Sequence, residues 1–159
     1  MAKVLKIAGM VLIAFLVGAQ FVRPARTTPT VDQSRTLAAQ MAVPAKVQNI
    51  FDRACRDCHS HQTTWPWYSN VAPASWLVIN HVNEGRRHLN FSDWAKYTPK
   101  QARHKLEEIC EVISSGEMPL KSYLLLHPDA KLTPAEVETL CAWTKSAHQR
   151  LEQESPDEQ

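Results

Sequence analysis

An all-α fold is predicted for this chain by three observations. Glycine is scarce, with 4 residues in 159, and no stretch sustains the alternation of apolar and polar residues that a half-buried strand requires. Apolar residues recur instead at helical spacings of three and four. Two segments, Thr98-Pro99-Lys100-Gln101 and Thr133-Pro134-Ala135-Glu136, carry a helix-opening signature. In each, a threonine hydroxyl and a Gln or Glu three positions on satisfy backbone N–H groups reciprocally, with proline at the first helical position.

Taken in chain order, the first element is a hydrophobic helix. Lys3 and Lys6 precede the uncharged apolar stretch 7–22, the layout of an export signal. That run approaches the roughly 20 residues that span a bilayer, so residues 1–26 are read as an export signal retained as a membrane anchor. Cleavage after Ala19, at the small-residue site Val17-Gly18-Ala19, is the alternative. Residues 27–43, bracketed by Pro24, Pro29 and Pro44 among Thr, Gln, Ala and Arg, read as a tether between anchor and domain.

The domain proper is expected over 44–150. Pro44 opens a helix in which Val47, Ile50, Phe51, Ala54 and Cys58 share a face. A second helix begins at Pro73 and runs through Trp76, Leu77, Asn80 and His81 towards Arg87. The third, after Thr98, turns Leu106, Ile109, Cys110 and Ile113 inward and stops at Gly116, where a left-handed residue is natural. The last, after Thr133, buries Val137, Leu140, Cys141 and Thr144. Residues 151–159 hold four acids (Glu152, Glu154, Asp157, Glu158) and read as a frayed tail.

Charge excludes one class of partner. The formal net is +2, but residues 1–26 contain four basic residues and no acid, leaving a net of −2 on the remainder. No basic stripe with interleaved aromatics occurs, so no nucleic-acid partner is expected.

The chemistry concentrates in Cys55-Arg56-Asp57-Cys58-His59. On a helix, positions 55, 58 and 59 stand at i, i+3 and i+4 and share one face. Two thiols so placed can add across the two vinyl groups of one porphyrin, and the imidazole can ligate the iron from the same side. CxxCH is accordingly read as an attachment site for c-type haem. Two rivals fit less well. A thioredoxin-like CxxC needs flanking strands, and a zinc site needs four ligands; His61 is near, but Cys110 and Cys141 are single and distant. An exported chain is also where covalent haem is expected.

A sixth iron ligand is sought next. Met118, in Gly116-Glu117-Met118-Pro119-Leu120, follows a helix stop and precedes a proline that stiffens it, and a thioether opposite histidine is common in electron-transfer cytochromes. Met1 and Met10 fall in the anchor and Met41 in the tether. His81 and His127 are the alternatives. Trp65, Trp67 and Tyr68, directly after the motif, are candidates for the haem wall, since indole and phenol offer an apolar body with a polar handle. Arg86 or Arg87 could pair with propionates; adjacent residues cannot share a helix face, so at most one of them does.

Between Pro44 and Ala147 the chain resembles the small bacterial haem-binding domain proteins, mono-haem c-type cytochromes of the cell envelope. The resemblance rests on Cys55-x-x-Cys58-His59-Ser60, Thr64-Trp65-Pro66-Trp67-Tyr68-Ser69 and Ala72-Pro73-x-Ser75-Trp76-Leu77. It continues through His81-Val82-x-x-Gly85-Arg86, Leu89-Asn90-Phe91-Ser92-x-Trp94, Gly116-x-Met118-Pro119-Leu120, Tyr123 and His127-Pro128. It implies a cytochrome c-like helical haem domain behind an N-terminal hydrophobic segment, one haem c on Cys55 and Cys58, and iron held by His59. Cys110 and Cys141 lie outside the signature; on apolar helix faces in a disulfide-permissive compartment they are expected as buried thiols or a bridge.

The function expected is that of a one-electron carrier on the periplasmic side of the bacterial inner membrane, not an enzyme, with unnamed redox partner proteins. A haem sensor or peroxidase-like protein with an open sixth position is the alternative. A haem-carrying subunit of a larger membrane complex is a third.

Overall fold

A computed structural model describes residues 1–154. Among the described residues there is no strand, and eight α-helices are joined by four 3₁₀ turns. They are α1 (Ala2–Ala19), α2 (Leu37–Gln40), α3 (Ala45–Ala54), α4 (Arg56–His59), α5 (Ala74–His88), α6 (Pro99–Ser114), α7 (Lys121–Leu124) and α8 (Pro134–Glu154). The protein is all-α.

The helix starts follow their local chemistry. Thr98 and Gln101 form the reciprocal cap of α6, and Glu136 accepts from the Thr133 amide at 2.8 Å while donating its own to the Thr133 hydroxyl. The helix α6 ends at Ser114, and Gly116 adopts φ +75°, the left-handed conformation that a glycine tolerates best. The last helix continues to Glu154, so part of the segment read as a tail is helical, while Asp157 and Glu158 lie outside the described residues.

The core sits where α3, α6 and α8 meet. Leu106 and Leu140 are wholly buried, Val47, Ile50 and Phe51 nearly so, and each such side chain contributes about 1.5–3 kcal/mol by leaving water. Phe51 meets Trp143 edge-on at 5.5 Å and Phe91 at 4.7 Å, which fixes α3 against α8 on one side and the 3₁₀ turn Phe91–Lys96 on the other.

Cys110 of α6 and Cys141 of α8 are joined by a disulfide across this core. Reduction should therefore destabilise the domain by about 2–4 kcal/mol, the usual worth of a closed loop of this kind. Denaturant titration with and without reductant measures it, and thiol counting under non-reducing denaturation should find neither of the pair free.

The segment 27–43 departs from the free tether expected of it. Gln33–Arg35 forms a 3₁₀ turn, α2 follows, and Leu37 is buried in the core cluster. Arg35 pairs with Asp93 at 2.7 Å, and the Trp143 indole donates to the Ala42 carbonyl at 3.1 Å. The prolines and polar residues make it look like a linker locally, but Leu37, with Met41 and Val43 beside it, and several long-range polar ties fold it onto the domain.

Candidate functional site

The Cys55–His59 segment forms one turn of helix after a break. The helix α3 stops at Ala54, Cys55 takes φ −125° and ψ −36°, and α4 restarts at Arg56. The expected continuous helix is thus kinked at the first cysteine. The His59 amide still donates to the Cys55 carbonyl at 2.9 Å, so the three side chains stay within one turn.

The loop after the motif is closed by its own hydroxyls. Ser60 Oγ donates to the Arg56 carbonyl at 2.8 Å, Thr63 Oγ1 to the Asp57 carbonyl at 2.6 Å, and the Thr64 amide to Asp57 Oδ1 at 2.9 Å.

The helix α5 clamps this turn from outside. A Cβ on Gly85 would lie 2.6 Å from the Cys58 carbonyl oxygen, so only glycine admits this approach of α5 to α4. One residue on, Arg86 is buried and donates to the Ser60 carbonyl at 2.7 Å, to Thr63 Oγ1 at 2.8 Å and to the Thr27 carbonyl at 2.9 Å. The sequence reading offered Arg86 to propionates. The structure instead commits its guanidinium to main chain and hydroxyls, as a staple between α5, the motif loop and the N-terminal segment.

The same helix fixes the imidazole of His59. Its Nδ1 lies 3.0 Å from the Gly85 carbonyl and 3.2 Å from the Leu89 carbonyl. Carbonyls only accept, so Nδ1 carries the proton and Nε2 keeps its lone pair, the arrangement that metal-ligating histidines use. Phe91 backs the ring, with centroids 6.2 Å apart.

Cys55, Cys58 and His59 line a cavity of about 560 Å³, within the usual range of roughly 300–1,000 Å³ for cofactor sites. Its wall is mostly apolar, built from Phe51, Leu77, Val78, Val82, Ile109, Val112 and Leu120. Enclosure by protein shifts all three motif groups. Burial pushes the Cys55 thiol up to about 12, and burial, then the Asp57 charge, pushes Cys58 to about 11, so both are neutral thiols here at neutral pH. Burial holds His59 below the ordinary histidine range, against the pull of its two carbonyl partners, which favours the neutral, ligating form.

Met118 reaches this cavity from the loop between α6 and α7. Its amide donates to the Val112 carbonyl at 3.0 Å, which ties the loop to the last turns of α6. His81 and His127 line the cavity too. His81 stands on α5, the helix that backs His59. His127 is engaged: its Nε2 is 2.8 Å from the Tyr68 hydroxyl, and its ring stacks on Tyr123 at 4.1 Å. Tyr123 in turn donates to Asp57 Oδ2 at 3.1 Å. Burial, and next the Asp57 charge, raise both phenols above the usual tyrosine range, so they remain hydrogen-bond donors.

The aromatic trio divides. Tyr68 is part of the wall, with Pro66 beside it. Trp65 turns away, its indole 3.3 Å from Thr28 Oγ1, and Trp67 is 76% exposed. Neither tryptophan is part of the cavity wall. Two wall surfaces escaped the sequence reading, and both had a signal. Ala74, Leu77, Val78, His81, Val82 and Gly85 recur at helical spacing along α5, and Ile109, Val112 and Ile113 do so on α6.

An apolar helical cavity with two thiols and a tautomer-fixed imidazole on one wall is a pocket built for a flat, iron-bearing macrocycle. A family model described as a haem-binding domain matches residues 14–146, and the chain belongs to that family. No curated protein and no solved structure matches the chain. Membership establishes haem binding, and the site fits the group: His59 Nε2 is available to iron, the apolar wall suits the ring, and the Tyr68 and Tyr123 phenols and the His127 imidazole are hydrogen-bonding groups within the same wall.

Proposed function

We propose that the protein is a mono-haem c-type cytochrome that carries single electrons on the periplasmic side of the bacterial inner membrane. The observation that carries this reading is the hydrogen bonding of His59 Nδ1 to two carbonyls, which frees Nε2 in the cavity that Cys55 and Cys58 also line. Cys55 and Cys58 would hold the group through two thioether bonds, each the addition of S–H across one vinyl group, which consumes no oxidant or reductant. The bound group supplies a one-electron couple at its iron. His59 and Met118, which line the same cavity, would hold the iron. The apolar wall excludes water, and Tyr68, Tyr123 and His127 form a hydrogen-bonded and stacked network within it. In this reading the chain is an electron-transfer protein rather than an enzyme.

The helix α1 supports the anchored location. It is long and apolar enough to cross a membrane, and 6% of it is buried against the rest of the protein. A membrane and unidentified redox proteins are the partners proposed.

The linked polar groups Asp57, Tyr123, His127 and Tyr68 on the cavity wall favour a second reading, a haem sensor or peroxidase-like protein with an open iron position. Absorption spectra with and without carbon monoxide, taken during a potentiometric titration, separate the two. A carrier should titrate as one reversible one-electron step, and its ferrous spectrum should ignore carbon monoxide. Immediate carbonyl binding by the wild-type protein would favour the open-site reading.

A further inference from the structure

The end of α1 is not a swivel. Gln20, the residue that caps it, donates to the Ala72 carbonyl at 3.1 Å and accepts from the Ala72 amide at 3.0 Å. Just beyond, the Trp76 indole donates to the Val22 carbonyl at 2.7 Å, and Arg26 donates to Ser69 Oγ at 3.2 Å. These ties hold one side of the domain, the 3₁₀ turn Trp67–Asn70 and the start of α5, against the exit of the apolar helix.

That same side is where exposed apolar side chains gather. Phe21 is 85% exposed, Trp67 76%, Val71 45% and Leu77 53%. The Tyr68–His127 bond brings the α7 exit beside them, with Leu125 82% and Leu126 60% exposed. Leu77 and Leu126 also line the cavity, so this apolar face runs from the end of α1 to the rim of the haem pocket. A contiguous exposed patch of this kind marks an interaction surface.

We infer that this face is seated in the lipid–water interface, with the haem pocket's rim turned to the bilayer surface. The inference rests on the proposed membrane anchoring by α1. Continuity with that helix names the occupant: the turn Trp67–Asn70 and the start of α5, tied to its exit, must lie at headgroup depth. The exposed Trp67 agrees, since indole rings concentrate at that depth. Arg23 and Arg26 at the same level would meet lipid phosphates. Haem so placed exchanges electrons with partners that are themselves held in or on the membrane.

The test uses the full-length, haem-loaded protein in vesicles of phosphatidylcholine and phosphatidylglycerol. A trace phospholipid carries a photoactivatable diazirine on the acyl chain close to the glycerol. After illumination, lipid adducts are mapped by peptide mass spectrometry. Adducts are expected on the peptides holding Trp67 and Leu125 as well as on α1. They should be lost from those peptides in a Trp67→Ser, Leu125→Ser variant whose haem spectrum matches the wild type. Adducts confined to residues 1–22 would overturn the seating while leaving the anchor intact. Protein–protein adducts at Trp67 and Leu125 in place of lipid would give the face to a second chain and also overturn it. A protein that washes off the vesicles and carries no adduct would mean that the anchor reading itself fails.

Discussion

Met118→Ala is expected to open the iron to carbon monoxide while leaving the haem attached. Met118 brings a thioether into the cavity that holds His59, from a loop secured by its own amide on Val112 and by Pro119. Alanine keeps the loop but removes the sulfur, so only the axial bond is lost. The oxidised protein should lose the weak sulfur-to-iron charge-transfer band at the red edge of its visible spectrum. Thioether ligation favours the ferrous state, so the reduction potential should fall as well. Optical titration with and without carbon monoxide reads all three. An unchanged spectrum, together with a spectrum altered by His81→Ala or His127→Ala, would make the site bis-histidine. The engagement of His127 Nε2 by Tyr68, and the place of His81 on the helix behind His59, both support Met118.

The second large effect is expected from one methyl group. In Gly85→Ala the new Cβ would sit 2.6 Å from the Cys58 carbonyl oxygen and 3.2 Å from the Cys58 Cβ. Those are backbone and motif atoms with no free rotor to swing aside, so α5 and α4 must part. Alanine gains about 1 kcal/mol over glycine in helix propensity, but overpacking costs about 1–3 kcal/mol, and parting α5 from α4 draws the Gly85 and Leu89 carbonyls away from His59 Nδ1. Lower haem occupancy and a lower unfolding midpoint should follow, with Gly85→Val worse than Gly85→Ala. Haem content per chain and denaturant unfolding of the purified variants decide it. A more stable Gly85→Ala with an unaltered spectrum would show that the α4–α5 contact is looser than described.

Much of this architecture is legible in the sequence because its signals are local. The caps at Thr98 and Thr133, the glycine stop at Gly116 and the apolar faces of α3, α6 and α8 each lie within a few turns of chain. The Cys55–His59 motif and the Met118 loop are equally compact. What stays hidden depends on partners far along the chain. Gly85 carries no local sign of its role, which appears only when Cys58 is brought against it. Arg86 reads as a propionate partner until Ser60, Thr63 and Thr27 converge on it. The run Trp65-Pro66-Trp67-Tyr68 looks like one wall, but its 3₁₀ turn sends only Tyr68 and Pro66 inward. Leu37, with Met41 and Val43 packed beside it, anchors a segment whose composition says linker.

The attachment itself is the central claim, and the intact mass of the protein matured in the periplasm and then denatured tests it most directly. The account predicts the chain mass plus one haem, an adduct that survives acid–acetone extraction, with both thioethers mapping to the peptide that holds Cys55 and Cys58. A chain of apo mass, with its haem released into the solvent, would contradict it.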